Sequence, residues 1–305
     1  MINEYVIKLI DNLPDDVKNS KTPLRIDLVL DGGVFNGSYL VGALSFLKEM
    51  EKRNYITVER ISGCSIGSVV GFLYFIDALD MMPTFYNLGK KDFNEKHQLP
   101  TLKGLKPFLK DRIPENICEK VNGKFYICYN NIKKGRKTVK SQYKDIDDIM
   151  NTIIKSSYIP YLIDGNMLYE NKYFDGLNPY IFNIEKDKKI LHLDLYGNDK
   201  IGYLFNVKNE KTNYHRILSG LLDIHNFYIK QSNTQMCSYV NDWSFTNFGF
   251  NYIKMFMEKV CIYSMYFLMY IKKCLPCGFE TTVFYKILSK ITHEIFIIIL
   301  ETYCL

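Results

Sequence analysis

The stretch Leu24-Arg25-Ile26-Asp27-Leu28-Val29-Leu30-Asp31-Gly32-Gly33-Val34-Phe35-Asn36-Gly37 decides the fold. Its first half is aliphatic and β-branched, which predicts a parallel strand buried on both faces. The strand runs into a glycine turn that can point backbone amides at a developing negative charge. Beyond Gly37, the apolar positions Leu40, Val41, Leu44, Phe46, Leu47 and Met50 are spaced for a helix, with Lys48, Glu49 and Glu51 outward. The same plan then repeats. Val58 to Ile61 predicts a second strand, Gly63-Cys64-Ser65-Ile66-Gly67 a turn, and Val69, Val70, Phe72, Leu73 and Ile76 an apolar helix. Repeated strand–loop–helix units imply an α/β domain with a three-layer α/β/α architecture, a mostly parallel central sheet and ligands at the carboxyl ends of its strands.

The second turn carries the chemistry. A G-x-S-x-G peptide between a strand and a helix places its serine on a sharp bend, where small neighbours let the hydroxyl stand exposed. Ser65 is therefore a candidate nucleophile, with the positive end of the following helix nearby. A Ser-His-Asp triad needs a histidine, and the chain offers His97, His192, His215, His225 and His293, none in a recognisable motif. Asp175 is the stronger candidate base. It follows a Tyr-Phe strand end and precedes Gly176, so a short carboxylate there reaches the strand-end cleft. A carboxylate in contact with serine and partly desolvated gains basicity. Asp164-Gly165, the competing pair, sits between two strand-like runs and reads as a hairpin turn.

The rest of the chain supplies context. The 305 residues are 47% hydrophobic and 24% charged, which excludes a disordered chain, and the formal net charge is a modest +6. Eight cysteines lack regular pairing, and the first residues carry Asp11, Asp15 and Asp16 without an apolar signal core. Free thiols in an intracellular, cytoplasmic setting are expected. Cys274-Leu275-Pro276-Cys277 is a lone CxxC without a second ligand pair, so no metal is expected. Gly123 to Tyr129 and Thr138 to Tyr143 predict two strands, and the basic residues in the loop between them read as solvated. No nucleic-acid motif or extended basic face occurs. Ile149 to Lys155 predicts a helix, Leu162 to Phe174 a hairpin and Ile190 to Tyr196 a strand. The division expected is a helical lead-in over 1–24, a catalytic domain over 25–200, and a helical, aromatic-rich extension over 201–305. Within that extension Val260 to Ile271 is too short to cross a bilayer. It reads either as a helix packed on the domain or as an interfacial one that gives peripheral membrane contact.

The ordered blocks resemble the patatin-like phospholipases. Asp31, Gly32, Gly33 and Gly37 match that family's Asp-Gly-Gly-Gly-x-Arg-Gly loop, and Gly63 to Gly67 match its nucleophile elbow. Ser156-Ser157-Tyr158-Ile159-Pro160 matches the segment before its second catalytic block, and Asp175-Gly176 the catalytic Asp-Gly. The resemblance spans about residues 26–183 and implies the patatin-like fold. It also implies a Ser65–Asp175 dyad, an oxyanion site around Gly32, Gly33 and Val34, no cofactor, and hydrolysis of a phospholipid or other acyl lipid. Three positions depart from the pattern: Val34 replaces the third glycine, Asn36 the basic residue, and Leu177 the small residue that commonly follows Asp-Gly.

Overall fold

The computed structural model describes residues 2–18, 22–197, 199–207 and 211–274, with scattered positions from 276 to 298. Cys277, His293 and about half of the apolar stretch from 284 to 300 lie outside the described residues.

The aliphatic run forms β1 (Leu24–Leu30), and parallel neighbours flank it on both sides: β2 (Ile56–Gly63) and β6 (Lys189–Leu193). The sheet continues through β3 (Phe125–Asn131), parallel to β2, and closes with antiparallel edges, β4 (Arg136–Lys140) beside β3 and β7 (Cys237–Tyr239) beside β6. A two-residue strand, β5 (Tyr173–Phe174), pairs antiparallel with Asn130 and Asn131. In register, Leu30 lies opposite both Gly63 and Leu193. The turns that follow β1, β2 and β6 therefore open at one level, which concentrates their polar backbone and side chains at one sheet end.

One sheet face packs on helices. Ile26, Leu28, Leu30, Ile61, Phe125, Ile127, Leu191 and Leu193 share the main core with α1 (Ile2–Asp11), α2 (Gly37–Lys52) and α3 (Ile66–Phe75). The same core takes in α4 (Met82–Lys96), α5 (Ile146–Ser156) and α6 (Tyr214–Lys230). Helix α5 begins where Asp145 accepts a 2.8 Å hydrogen bond from the Asp148 amide, the arrangement an N-cap requires. On the opposite face Val29, Ile190 and Tyr126 pack against Tyr180, Phe182, Val240 and Trp243. Irregular chain, rather than a row of helices, covers that face.

Three details differ from expectation. The Leu162 to Phe174 hairpin is a series of turns with one isolated bridge, Tyr169 to Tyr173, because its last residues pair with β3 instead. The span 201–305, expected to be a helical extension, contributes β7 to the sheet and α6 to the main core. The loop after β3 is only partly solvated: Lys137 turns inward to an ion pair with buried Glu258 at 3.0 Å.

The last long helix, α7 (Phe245–Cys274), is two-sided. Asn251, Lys254, Glu258, Ile262 and Met265 are sheltered at helical spacing, whereas Phe250, Ile253, Phe256, Tyr263 and Phe267 are exposed. No helix among the described residues is long and apolar enough to cross a membrane.

Candidate active site

Ser65 caps the start of α3 with φ 50° and ψ −131°, a backbone state that costs a non-glycine residue about 1–3 kcal/mol. The strain is locked in by close approach. A Cβ at Gly67 would stand 2.5 Å from the Leu30 carbonyl oxygen, so this turn admits only glycine there. Gly63 ends β2, Gly32 backs directly on the Ser65 Cβ, and Gly37 opens α2 against Ile66.

The serine and the aspartate are brought together by the segment between them. The Ser156 carbonyl accepts hydrogen bonds from two amides, Ser65 at 3.2 Å and Gly176 at 2.9 Å. The Ser156 hydroxyl accepts a second bond from the Ser65 amide at 3.0 Å, and the Asp175 amide donates to the Tyr158 carbonyl at 2.9 Å. The Ser-Ser-Tyr segment is thus a clasp between the elbow and the Asp-Gly turn. Gly176 fits because its Cα faces the Cys128 carbonyl oxygen, which would lie 2.2 Å from a Cβ.

Asp175 is buried. Burial pushes its carboxyl up from 3.8 to about 6, against the opposing pull of the Leu177 amide, which donates to Oδ1 at 2.8 Å, and of the Ser65 hydroxyl. The other oxygen, Oδ2, makes no hydrogen bond of full geometry. The serine hydroxyl therefore approaches the carboxyl without being locked to it, as is common before substrate binds. This carboxyl can hold or release a proton near neutral pH. Asp164 is occupied elsewhere: it bonds the Lys103 ammonium, the Tyr158 hydroxyl and, at 3.0 Å, the Asn166 amide, and these partners outweigh its partial burial to hold it at about 2.

The four described histidines have their positions and contacts elsewhere. His192 sits on β6 with Nε2 3.4 Å from Asp31 and its ring against Trp243, while His225 packs edge-on to Phe46. His97 caps the end of α4, and His215 lies in α6. None of these four lines the apolar cavity beside Ser65, which is walled by Val34, Phe35, Ile66, Val69, Met82, Phe85, Tyr86, Leu99 and Ile159.

The glycine loop curls beside the same serine. Among the described residues no hydrogen bond engages the amides of Gly32, Gly33 or Val34. Val34 holds φ 43°, a left-handed state unfavourable for a β-branched side chain. Asn36, which stands where the resemblance leads one to expect a basic residue, is buried against one: the Arg216 guanidinium from α6 lies 3.5 Å from its side-chain oxygen and also donates to the Asn206 carbonyl at 2.6 Å. The Asp31 carboxylate is buried too. Desolvation opposes its charge, but His192 and the Lys254 ammonium at 3.1 Å hold it well below the usual carboxylate range.

Residues 28–179 match the family model of the patatin-like phospholipases, a span that takes in the glycine loop, the elbow, the clasp and Asp175-Gly176. This is a patatin-like phospholipase domain. Lipid acyl hydrolysis is accordingly its class of chemistry. No curated protein matches the chain significantly. The patatin-like domain has partners that sequence reasoning missed. Asn130 on β3 donates to the Asp175 carbonyl at 2.8 Å, and Lys254 and Glu258 reach the site from α7, beyond the matched span. A signal for the last two was present. From Phe245 to Ile271 the only charged residues are Lys254, Glu258 and Lys259, and the first two are one helical turn apart.

Proposed function

We propose that the protein is a serine acyl hydrolase in which Ser65 and Asp175 work as a dyad on a phospholipid or other acyl lipid. Asp175 takes the proton of the Ser65 hydroxyl as its oxygen attacks the ester carbonyl. The oxyanion forms against the amides of Gly32, Gly33 and Val34, each good donor contributing roughly 3–4 kcal/mol. Asp175 returns the proton to the departing alcohol, and the acyl group stays on Ser65. Water, deprotonated by the same carboxylate, then attacks the acyl carbonyl, and Asp175 returns the proton to the Ser65 oxygen as the fatty acid leaves. The apolar cavity walled by Phe35, Val69, Phe85 and Tyr86 receives the acyl chain. As written, no step calls for a metal or an organic cofactor. A single observation carries the reading: one carbonyl, that of Ser156, holds the backbone of both Ser65 and the Asp175-Gly176 turn, beside a carboxyl raised to about 6.

A lipid-panel hydrolysis assay tests it. Ser65→Ala and Asp175→Asn each lower hydrolysis by about a thousandfold or more. Full activity in either variant overturns the dyad.

The outward face of α7 is the proposed membrane contact. Its exposed Phe256 and Phe267 carry no charge, and Tyr252, Tyr263 and Tyr266 add hydroxyls suited to the headgroup boundary. Phe256→Glu combined with Phe267→Glu lowers co-sedimentation with phosphatidylcholine vesicles; equal pelleting of the variant and the wild type overturns this contact.

A further inference from the structure

Glu258 presents a puzzle of its own. Its carboxylate is buried on a helix whose neighbouring residues are largely apolar, and a buried ion pair is a weak device for stability alone. Its partners come from three other parts of the chain. Oε2 meets the Lys137 ammonium of β4 at 3.0 Å and the Asn178 amide group at 3.0 Å, and Oε1 meets the Asn130 amide group of β3 at 3.3 Å. Two of these partners bear directly on the base. Asn130 spends its other contact on the Asp175 carbonyl at 2.8 Å, and Asn178 follows Asp175 by three residues and also donates to the Lys254 carbonyl at 3.2 Å. One turn further along α7, Ile262 packs with Ile132, Leu168 and Phe174, the residue immediately before Asp175.

We propose that Glu258 is a positioning residue for the Ser65–Asp175 reaction, bracing the strand end that carries Asp175 from a helix outside the patatin-like domain. The inference rests on the dyad reading above. Lys254 makes the companion anchor, joining the same helix to Asp31 and Asp194 at 3.1 Å each, at the foot of the glycine loop. The two catalytic turns are thus tied to one rigid rod, four residues apart.

The brace is also electrostatic. The groups that face Asp175 are Ser65 and Cys64 from the elbow, Lys137 from β4, Tyr196 from the segment after β6, and Glu258 from α7. Burial is the main reason the carboxyl is raised; Glu258 adds to the rise and Lys137 opposes it. Removing each charge therefore moves the base in opposite directions, which a purely structural contact would not do.

The test measures kcat/KM against pH for a soluble nitrophenyl ester, with fluorophosphonate labelling of Ser65, in the full chain. Glu258→Gln moves the acid limb down and Lys137→Met moves it up, each by about half a pH unit or more, the size expected of a partly offset charge near a buried group. Thermal melts confirm that each variant is folded. If Asp175→Asn abolishes labelling but neither charge variant moves the limb, Glu258 has no positioning role. A uniform rate loss at every pH, with no movement of the limb, overturns it equally. If Asp175→Asn labels like the wild type, the dyad reading itself has failed.

Discussion

Replacing Asp175 by Asn is expected to make the protein more stable, and the gain depends on pH. The carboxyl stands at about 6 in the folded chain against an ordinary 3.8, a difference of about 2 pH units worth about 3 kcal/mol. Between these values the unfolded chain has already released its proton while the folded chain retains it. Stability therefore falls as pH rises through the window from 3.8 to 6, and the full penalty is in place above it. Asparagine has no charge to desolvate. Its side-chain oxygen still accepts from the Leu177 amide, which meets Oδ1 at 2.8 Å, and its NH2 group takes the place of the unbonded Oδ2. The variant should gain about 3 kcal/mol at pH 8, about half of that at pH 5, and little at pH 4. In melting temperature the pH 8 gain is roughly 5 °C for a chain of this size. Urea and thermal unfolding of wild type and variant at pH 5, 6.5 and 8 would check this. A difference that is independent of pH, or a loss of stability at pH 8, refutes the argument that desolvation energy is stored in the Asp175 carboxyl.

Three further outcomes follow from the geometry. Gly176→Ala drives a Cβ into the Cys128 carbonyl oxygen at 2.2 Å and lowers stability by about 3 kcal/mol or more, read as a drop in the urea midpoint. His192→Gln lowers ester hydrolysis by less than about tenfold, since its contact is Asp31 and not Ser65; a triad base would cost about ten-thousandfold or more, so steady-state kinetics separates the two. Cys64, though next to Ser65, is a poor thiolate because burial pushes its thiol well above the ordinary range and its Sγ lies against the Leu177 carbonyl at 3.4 Å. Peptide mapping after brief iodoacetamide treatment at pH 8 should find exposed Cys261 modified and Cys64 protected until urea is added.

The parts of this protein that were legible in its sequence are those where chemistry and backbone demand the same few residue types. Gly63, Ser65 and Gly67 announce a strained bend because other side chains would collide there, and β1 announces itself because a strand covered on both faces must be aliphatic throughout. The clasp was legible only as a position in an ordered series. Its action runs through the Ser156 carbonyl, and every residue has a carbonyl, so composition could not reveal that this one accepts from both Ser65 and Gly176. The hairpin expected before Asp175 failed for a related reason: Tyr173 and Phe174 suit a strand, but periodicity does not choose the partner, and β3 offered a free edge at Asn130 and Asn131. Glu258 and Lys254 were hardest to read, because their partners lie 60 to 223 residues away in sequence. What their placement shows is where the site ends. The family resemblance stops near residue 179, yet two of the charged groups near Asp31 and Asp175, Lys254 and Glu258, come from α7. The helix exposes aromatic side chains outward while its inner face meets Asp31 through Lys254 and the neighbours of Asp175 through Glu258, so an account of this site that stops at the matched span leaves out two of its charges.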